Sequence, residues 1–408
     1  MSAFFVIFAG LLASGIPIAL TLGIAGTAYL YLSGNGMMVL MLPQRMMAGI
    51  DQFVLLTIPL FLLAGSLMNV GGVTDRIVTF ARAMVGHRQG GMSSVSILSS
   101  GFFAGISGSA TAEASALGTI LIPSMSKQGM PSAYAAALVA VSSVMGPIIP
   151  PSITMIVYGV LSGTSIGQLF LAGVAPGVGL AAGLLMYASW RAKRDGFPVT
   201  PKMRARDRLI ATRRTLPALF LPLIILVGIK AGIFTPTEAA AVAVGYALVI
   251  GTIYRDLTIQ RIWEALIATA LVSASILFIT AMASVVSFVF TLEQVPTLIA
   301  EAMLTLTENP WMILLLLNLF LLILGMFLEP ISILILTMPI LVKLAAIIGM
   351  DPVQFGTMAV LNVVIGLATP PVGILLFIVS ATSGQPLSAV IREAIPLIGI
   401  CLLVLALV

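Results

Sequence analysis

Histidine and cysteine occur once each in this chain, as His87 and Cys401, and only 8% of its residues are charged. A lone cysteine excludes an intrachain disulfide and a thiolate metal site. With one histidine and no pair of aspartates inside an apolar segment, no catalytic constellation can be assembled, so an enzyme is not expected and no catalytic residue is assigned. Also missing are segments that alternate apolar and polar residues, which a transmembrane β-barrel would need. The apolar start, residues 2–31, has neither the basic n-region nor the short core of a signal peptide, and it reads as a retained span.

Apolar residues fill the space. They make up 60% of 408 positions, and the mean hydropathy is +1.18, so water cannot solvate most of the chain. Segments of roughly 18 to 28 apolar residues recur, each able to cross a hydrocarbon core of about 30 Å. The expected fold is an all-α polytopic membrane protein whose partner is the lipid bilayer and not a nucleic acid.

Glycine, proline and serine interrupt these runs at matching points of the two halves. The first half reads G-I-S-G-S-A-T-A-E at 105–113, I-P-S-M-S-K at 122–127 and G-P-I-I-P-P-S at 146–152. The second reads G-M-F-L-E-P-I-S at 325–332, M-P-I-L-V-K at 338–343 and G-L-A-T-P-P-V-G at 366–373. Paired interruptions of this kind mark secondary transporters with broken helices at the membrane midplane.

In chain order, a first span covers 3–31, a Met-rich interfacial stretch 36–49 and a second span 53–70. An amphipathic surface arm with Asp75, Arg76 and Arg82 follows at 74–85. Residues 91–127 form a re-entrant hairpin, and 131–162 a helix that the two prolines break. Residues 1–190 thus make a first repeat, 191–214 a basic loop, and 215–408 a second repeat with hairpin 310–348 and broken helix 352–381. The loop holds nearly half of the 19 Lys and Arg residues, which places it in the cytoplasm. Threading from that anchor opens the first hairpin inward and the second outward, giving inverted repeats. Glu293, Glu301 and Glu308 then fall on an outer segment. The residues leave the orientation of the first span open.

Unwound backbone is tolerated inside a bilayer only where it lines a polar cavity, because each unpaired group costs several kcal/mol. One such break can be a kink packed by small residues; four at matched positions point to a site. Ser107, Ser109, Thr111 and Ser152 offer hydroxyls near the first break and Thr369 near the second, hard oxygens suited to Na⁺. The ionisable residues mostly have structural readings. Glu238 in T-P-T-E reads as a capping box, and Lys127 and Lys343 read as last-turn residues ahead of a glycine stop. Glu113 and Glu329 flank the hairpin tips and are candidates for coupling.

With these motifs, G-I-D-Q-F at 49–53, I-P-L-F-L-L-A-G at 58–65 and L-F-L-A-G-V-A-P-G at 169–177, the chain resembles the DctM-like large membrane subunit of tripartite ATP-independent periplasmic (TRAP) transporters along essentially its whole length. The resemblance implies a Na⁺-driven, elevator-type importer of organic acids such as C4-dicarboxylates or sialic acid, in the bacterial inner membrane. It implies a small DctQ-like membrane subunit and a soluble periplasmic substrate-binding protein as partners. It also implies one Na⁺ site at Ser107, Gly108 and Ser109 with Gly146, Ile149 and Pro151. A second would use Gly325 and Phe327 with Gly366, Thr369 and Val372. Substrate would lie between the tips, near Ser107, Ser109, Thr111, Ser152, Glu329, Thr369 and Pro370. The family often has Asp where this chain has Glu113. A stand-alone Na⁺/dicarboxylate symporter shares the hairpin plan and is the alternative.

Overall fold

The computed structural model describes residues 2–307 and 309–408. Glu308 lies outside them. Helices α1 (Ser2–Ala13) and α2 (Ile18–Leu32) replace the single first span expected at 3–31. Gly15 turns the chain at φ +81 and Pro17 precedes α2, where its missing N–H leaves no gap. The Met-rich stretch becomes a 3₁₀ turn, Gly36–Met41, and α3 (Leu42–Ile50), with Met37, Leu40 and Met47 exposed. α4 (Thr57–Val70) follows, then the arm α5 (Val73–Val85), which buries Val73, Ile77 and Ala81 and exposes Asp75 and Arg82.

The first hairpin is α6 (Gly91–Ser107) and α7 (Ala110–Lys127). The broken helix is α8 (Ser132–Ser142) and α9 (Ile153–Ser162). α10 (Ile166–Arg194) and α11 (Ala205–Lys230) then absorb most of the expected basic loop. Arg191, Lys193 and Arg194 complete α10, while Arg206, Arg208, Arg213 and Arg214 lie in α11. Cations in the last turn of α10 and Asp207 in the first turn of α11 complement the helix dipoles, so both helices extend beyond their apolar segments.

α12 (Pro236–Tyr254) starts with the expected capping box: the Thr235 N–H donates to Glu238 Oε2 at 2.8 Å, and the Glu238 N–H to Thr235 Oγ1 at 3.3 Å. α13 (Ile259–Leu292) and α14 (Val295–Leu306) lead to the second hairpin, α15 (Pro310–Phe327) and α16 (Pro330–Ile348). The second broken helix is α17 (Pro352–Gly366) and α18 (Ile374–Ser383), and α19 (Leu387–Leu407) follows. Lys127 does end its helix, but Lys343 does not, because α16 runs on to Ile348 before Gly349 stops it. Among the described residues, eight helices are long and apolar enough to span a membrane.

The two halves pack by one rule. α6 lies against α8 as α15 lies against α17; α7 meets α18 as α16 meets α9; α8 meets α19 as α17 meets α10. Each hairpin therefore touches the broken helix of its own half and that of the other. The pre-break halves are the most enclosed, with Tyr134 to Ser142 and Phe355 to Gly366 buried throughout. A second group forms around α4, which runs along α12 with Thr57 and Thr237 hydroxyls 2.9 Å apart, and α13, which covers α2, α3 and α4. The groups meet where α4 touches α6 and α9 and where α13 touches α16.

Candidate functional site

At the first tip, α6 stops because Gly108 takes φ +60, the left-handed conformation that lets a C-cap turn without a Cβ penalty. Ser109 then caps α7, accepting the Ala112 N–H at 3.4 Å, and its hydroxyl lies 3.2 Å from that of Thr111. The Ser109 N–H donates to Ser107 Oγ at 3.4 Å. This tip sits directly on the first break. A Cβ on Gly108 would stand 2.6 Å from the Pro151 carbonyl oxygen, and one on Gly146 would stand 3.1 Å from the Ser109 carbonyl carbon. Hydrogen alone at both positions lets the two backbones close.

The second tip meets its break in the same way. Gly325 and Gly366 cross so closely that a Cβ on Gly366 would be 2.5 Å from the Gly325 Cα. The Gly373 N–H donates to the Met326 carbonyl at 3.1 Å, joining break to tip. Thr369 is buried, and its hydroxyl donates to the Ile365 carbonyl at 2.8 Å. Ile149 packs its side chain against Gly177 of α10, Phe327 exposes its ring and Val372 is half-buried.

A cavity of about 50 Å³ lies between the tips, lined by Gly108, Ser109, Thr111, Pro147, Thr154 and Glu329. Leu62 of α4 and Val272 and Ile276 of α13 close it from the other group of helices. Three helix starts reach it, at Ala110, Ile153 and Pro330. Of the residues expected near substrate, Ser109, Thr111 and Glu329 line it, while Ser107, Ser152, Thr369 and Pro370 stand outside its lining. Ser152 is fully buried: its hydroxyl caps α9 by accepting the Met155 N–H at 3.1 Å and itself donates to the Pro147 carbonyl. Thr154 was not anticipated from the sequence. Its signal was present, since it follows a helix-starting Ser152 and faces the same break.

Glu113 lies behind the first tip, fully buried, with no hydrogen-bond partner for either carboxylate oxygen. Ser96, Ser99 and Ser100 of α6 are likewise buried with unpartnered hydroxyls, and Ser100 stands beside the Glu113 carboxylate without hydrogen-bond geometry. Glu329 is exposed at the cavity wall and makes no side-chain cap to α16. Among the described residues no group of three or more His, Cys, Asp or Glu can hold a metal. A cation here would rest on hydroxyls and backbone carbonyls.

Residues 5–408 match the family profile of the DctM component of the tripartite ATP-independent periplasmic transporters. The chain belongs to this family. It is 41% identical over 400 residues to the sialic acid TRAP transporter large permease SiaM of Vibrio cholerae, covering 98% of this chain and 93% of that protein. It is 42% identical to the C4-dicarboxylate TRAP transporter large permease DctM of Pseudomonas aeruginosa, covering 88% and 84%. The 2,3-diketo-L-gulonate large permease YiaN of Escherichia coli is 37% identical, covering 95% and 91%. Among solved structures, the YdaH transporter of Alcanivorax borkumensis shares the fold, with a TM-score of 0.67 over 91% of this chain and 88% of that one at 14% identity. The DctM family consists of transporter permease subunits, and this member is a multi-pass inner-membrane protein.

Proposed function

We propose that this DctM-family chain is the membrane subunit of a Na⁺-coupled importer that takes organic acids from a periplasmic binding protein, with a small DctQ-like subunit beside it. The observation that carries the reading is the cavity itself, which both hairpin tips and both broken helices enclose. Its positive features are helix starts and hydroxyls. Three half-helix N-termini favour a carboxylate, and the lining has no Arg or Lys to hold one tightly. Relatives named for sialic acid, C4-dicarboxylates and diketogulonate all handle carboxylates, which supports the substrate class.

At about 50 Å³ the cavity holds a water or two, whereas small-molecule sites usually need a few hundred Å³. Loading therefore requires movement. The hairpins and broken helices pack as one body and touch α4 and α13 at the cavity rim, an arrangement suited to an elevator cycle between inverted repeats. Na⁺, taken as co-transported cargo, would be held by Ser107, Gly108, Ser109, Gly146, Ile149 and Pro151 in one half. Gly325, Phe327, Gly366, Thr369 and Val372 would hold it in the other. These oxygens are neutral and hard, the donor set for an alkali cation. Its charge would join each tip to its break when bound.

The test is uptake of labelled organic acids into proteoliposomes with this chain, its small subunit and the binding protein. Uptake is expected to require both an inward Na⁺ gradient and the binding protein. Vigorous uptake of free substrate without the binding protein would replace the tripartite reading with a stand-alone symporter; uptake driven equally by a proton gradient would move coupling to Glu113 and Glu329.

A further inference from the structure

The cavity between the tips carries a single ionisable side chain, Glu329, and its lining contains no Arg, Lys or His. Among the described residues the Glu329 carboxylate makes no hydrogen bond and no ion pair. It stands just before α16, where the helix dipole favours a negative charge. Pro330, the first residue of α16, has no N–H to donate, and Glu329 forms no side-chain cap. Both carboxylate oxygens are therefore left to accept from an occupant of the cavity.

The other polar features come from the opposite half of the chain. α7 starts at Ala110 behind the Ser109 cap, and α9 starts at Ile153 behind the Ser152 cap. Ser109, Thr111 and Thr154 add hydroxyls to the lining. All of these belong to the first tip and the first break. The third helix start, that of α16, is already faced by the charge of Glu329. The cavity thus has two unlike sides: helix starts and hydroxyls that suit a carboxylate, and a carboxylate that can only accept.

We infer that the substrate is a monocarboxylate bearing hydroxyl or amide N–H groups, and that Glu329 is the residue that selects it. The substrate carboxylate faces the first tip and break, and its donors face Glu329. A C4-dicarboxylate would set its second carboxylate against Glu329, with no cationic side chain in the lining to offset the like charges. An unsubstituted acid would bury Glu329 with nothing donated to it. A hydroxylated acid satisfies both sides. The inference rests on the organic-acid reading above and narrows it. If Glu329 served only to start α16, replacing it would leave substrate preference untouched.

The experiment uses the full chain with its small subunit, purified in Na⁺ at neutral pH, with affinities read by thermal shift and isothermal titration. The binding protein is left out so that its own selectivity does not enter. The probes are D-gluconate and N-acetylneuraminate, each with one carboxylate and several hydroxyls; succinate, with two carboxylates; and butyrate, with one carboxylate and no hydroxyl. At least one hydroxylated acid is expected to bind about tenfold or more tightly than succinate and butyrate. Glu329→Gln should weaken that acid about fivefold and raise succinate to at least the same affinity, whereas Glu329→Asp should keep the original order. Tighter binding of succinate than of either hydroxylated acid by the unaltered chain would overturn the proposal. So would an order of preference that Glu329→Gln leaves as it was. Binding of no carboxylate by either protein would overturn the organic-acid reading itself, and this inference with it.

Discussion

At the residue scale, contact between tip and break depends on what is absent from Gly108. Adding a Cβ there has two costs, left-handed strain of about 1 kcal/mol and overlap with the Pro151 carbonyl 2.6 Å away. Gly129 separates them, since it has φ +83 and nothing within 4 Å of an added Cβ. Gly129→Ala should therefore lower thermal stability slightly and leave uptake intact, whereas Gly108→Ala should cut uptake about tenfold or more by lifting the tip. Glu113 makes a complementary case. Its carboxylate is buried without a partner, an arrangement that costs stability and is retained where it serves a function. Glu113→Gln removes the ionisable group at nearly constant shape. Uptake should fall at least about tenfold while the melting temperature holds or rises; a fall in both together would assign Glu113 to packing instead.

At the element scale, the hairpins and broken helices were legible in the sequence because their punctuation is chemical. Gly108, Ser109, Pro150 and Pro151 stop helices by missing Cβ atoms, side-chain caps and missing donors, and those effects are local. The two departures have a different origin. Residues 3–31 look like one span by hydropathy, which cannot show that Gly15 and Pro17 divide it. The basic stretch reads as a loop by charge, yet arginine is a good helix former. The dipole favours Arg191, Lys193 and Arg194 in the last turn of α10 and Asp207 in the first turn of α11, while Arg206 and Arg208 at the start of α11 are helical by propensity against the dipole. Least legible was the cavity lining from α4 and α13, since Leu62, Val272 and Ile276 are ordinary apolar residues until the fold brings them to the tips. The α15–α17 crossing gives a test at this scale. Gly366→Ala must push two backbones apart and should cost about 2 kcal/mol or more, read as lower melting temperature and folded yield. Gly399 in α19 has open space around it, so Gly399→Ala should be neutral or slightly stabilising.

At the scale of the whole molecule, the question is whether the hairpin group moves as a body. Its internal contacts are extensive and symmetric: α10 and α19 are joined by Arg191, which ion-pairs with Glu393 and lies 4.5 Å over the Tyr134 ring of α8. Its contacts with the scaffold group at the cavity are those of α4 with α6 and α9 and of α13 with α16. Because Cys401 is the sole cysteine and is buried, introduced pairs can be cross-linked without interference. Ile276 of α13 and Ile331 of α16 both line the cavity and belong to different groups. Ser126 and Ser132, with hydroxyls 2.7 Å apart, belong to the same one. If alternating access is rigid-body movement, cross-linking Ile276→Cys to Ile331→Cys should cut uptake at least about tenfold, with recovery on reduction. Cross-linking Ser126→Cys to Ser132→Cys should leave it unchanged. Equal loss in both would mean that the hairpin flexes internally, and the movement would then be gating by the tips alone.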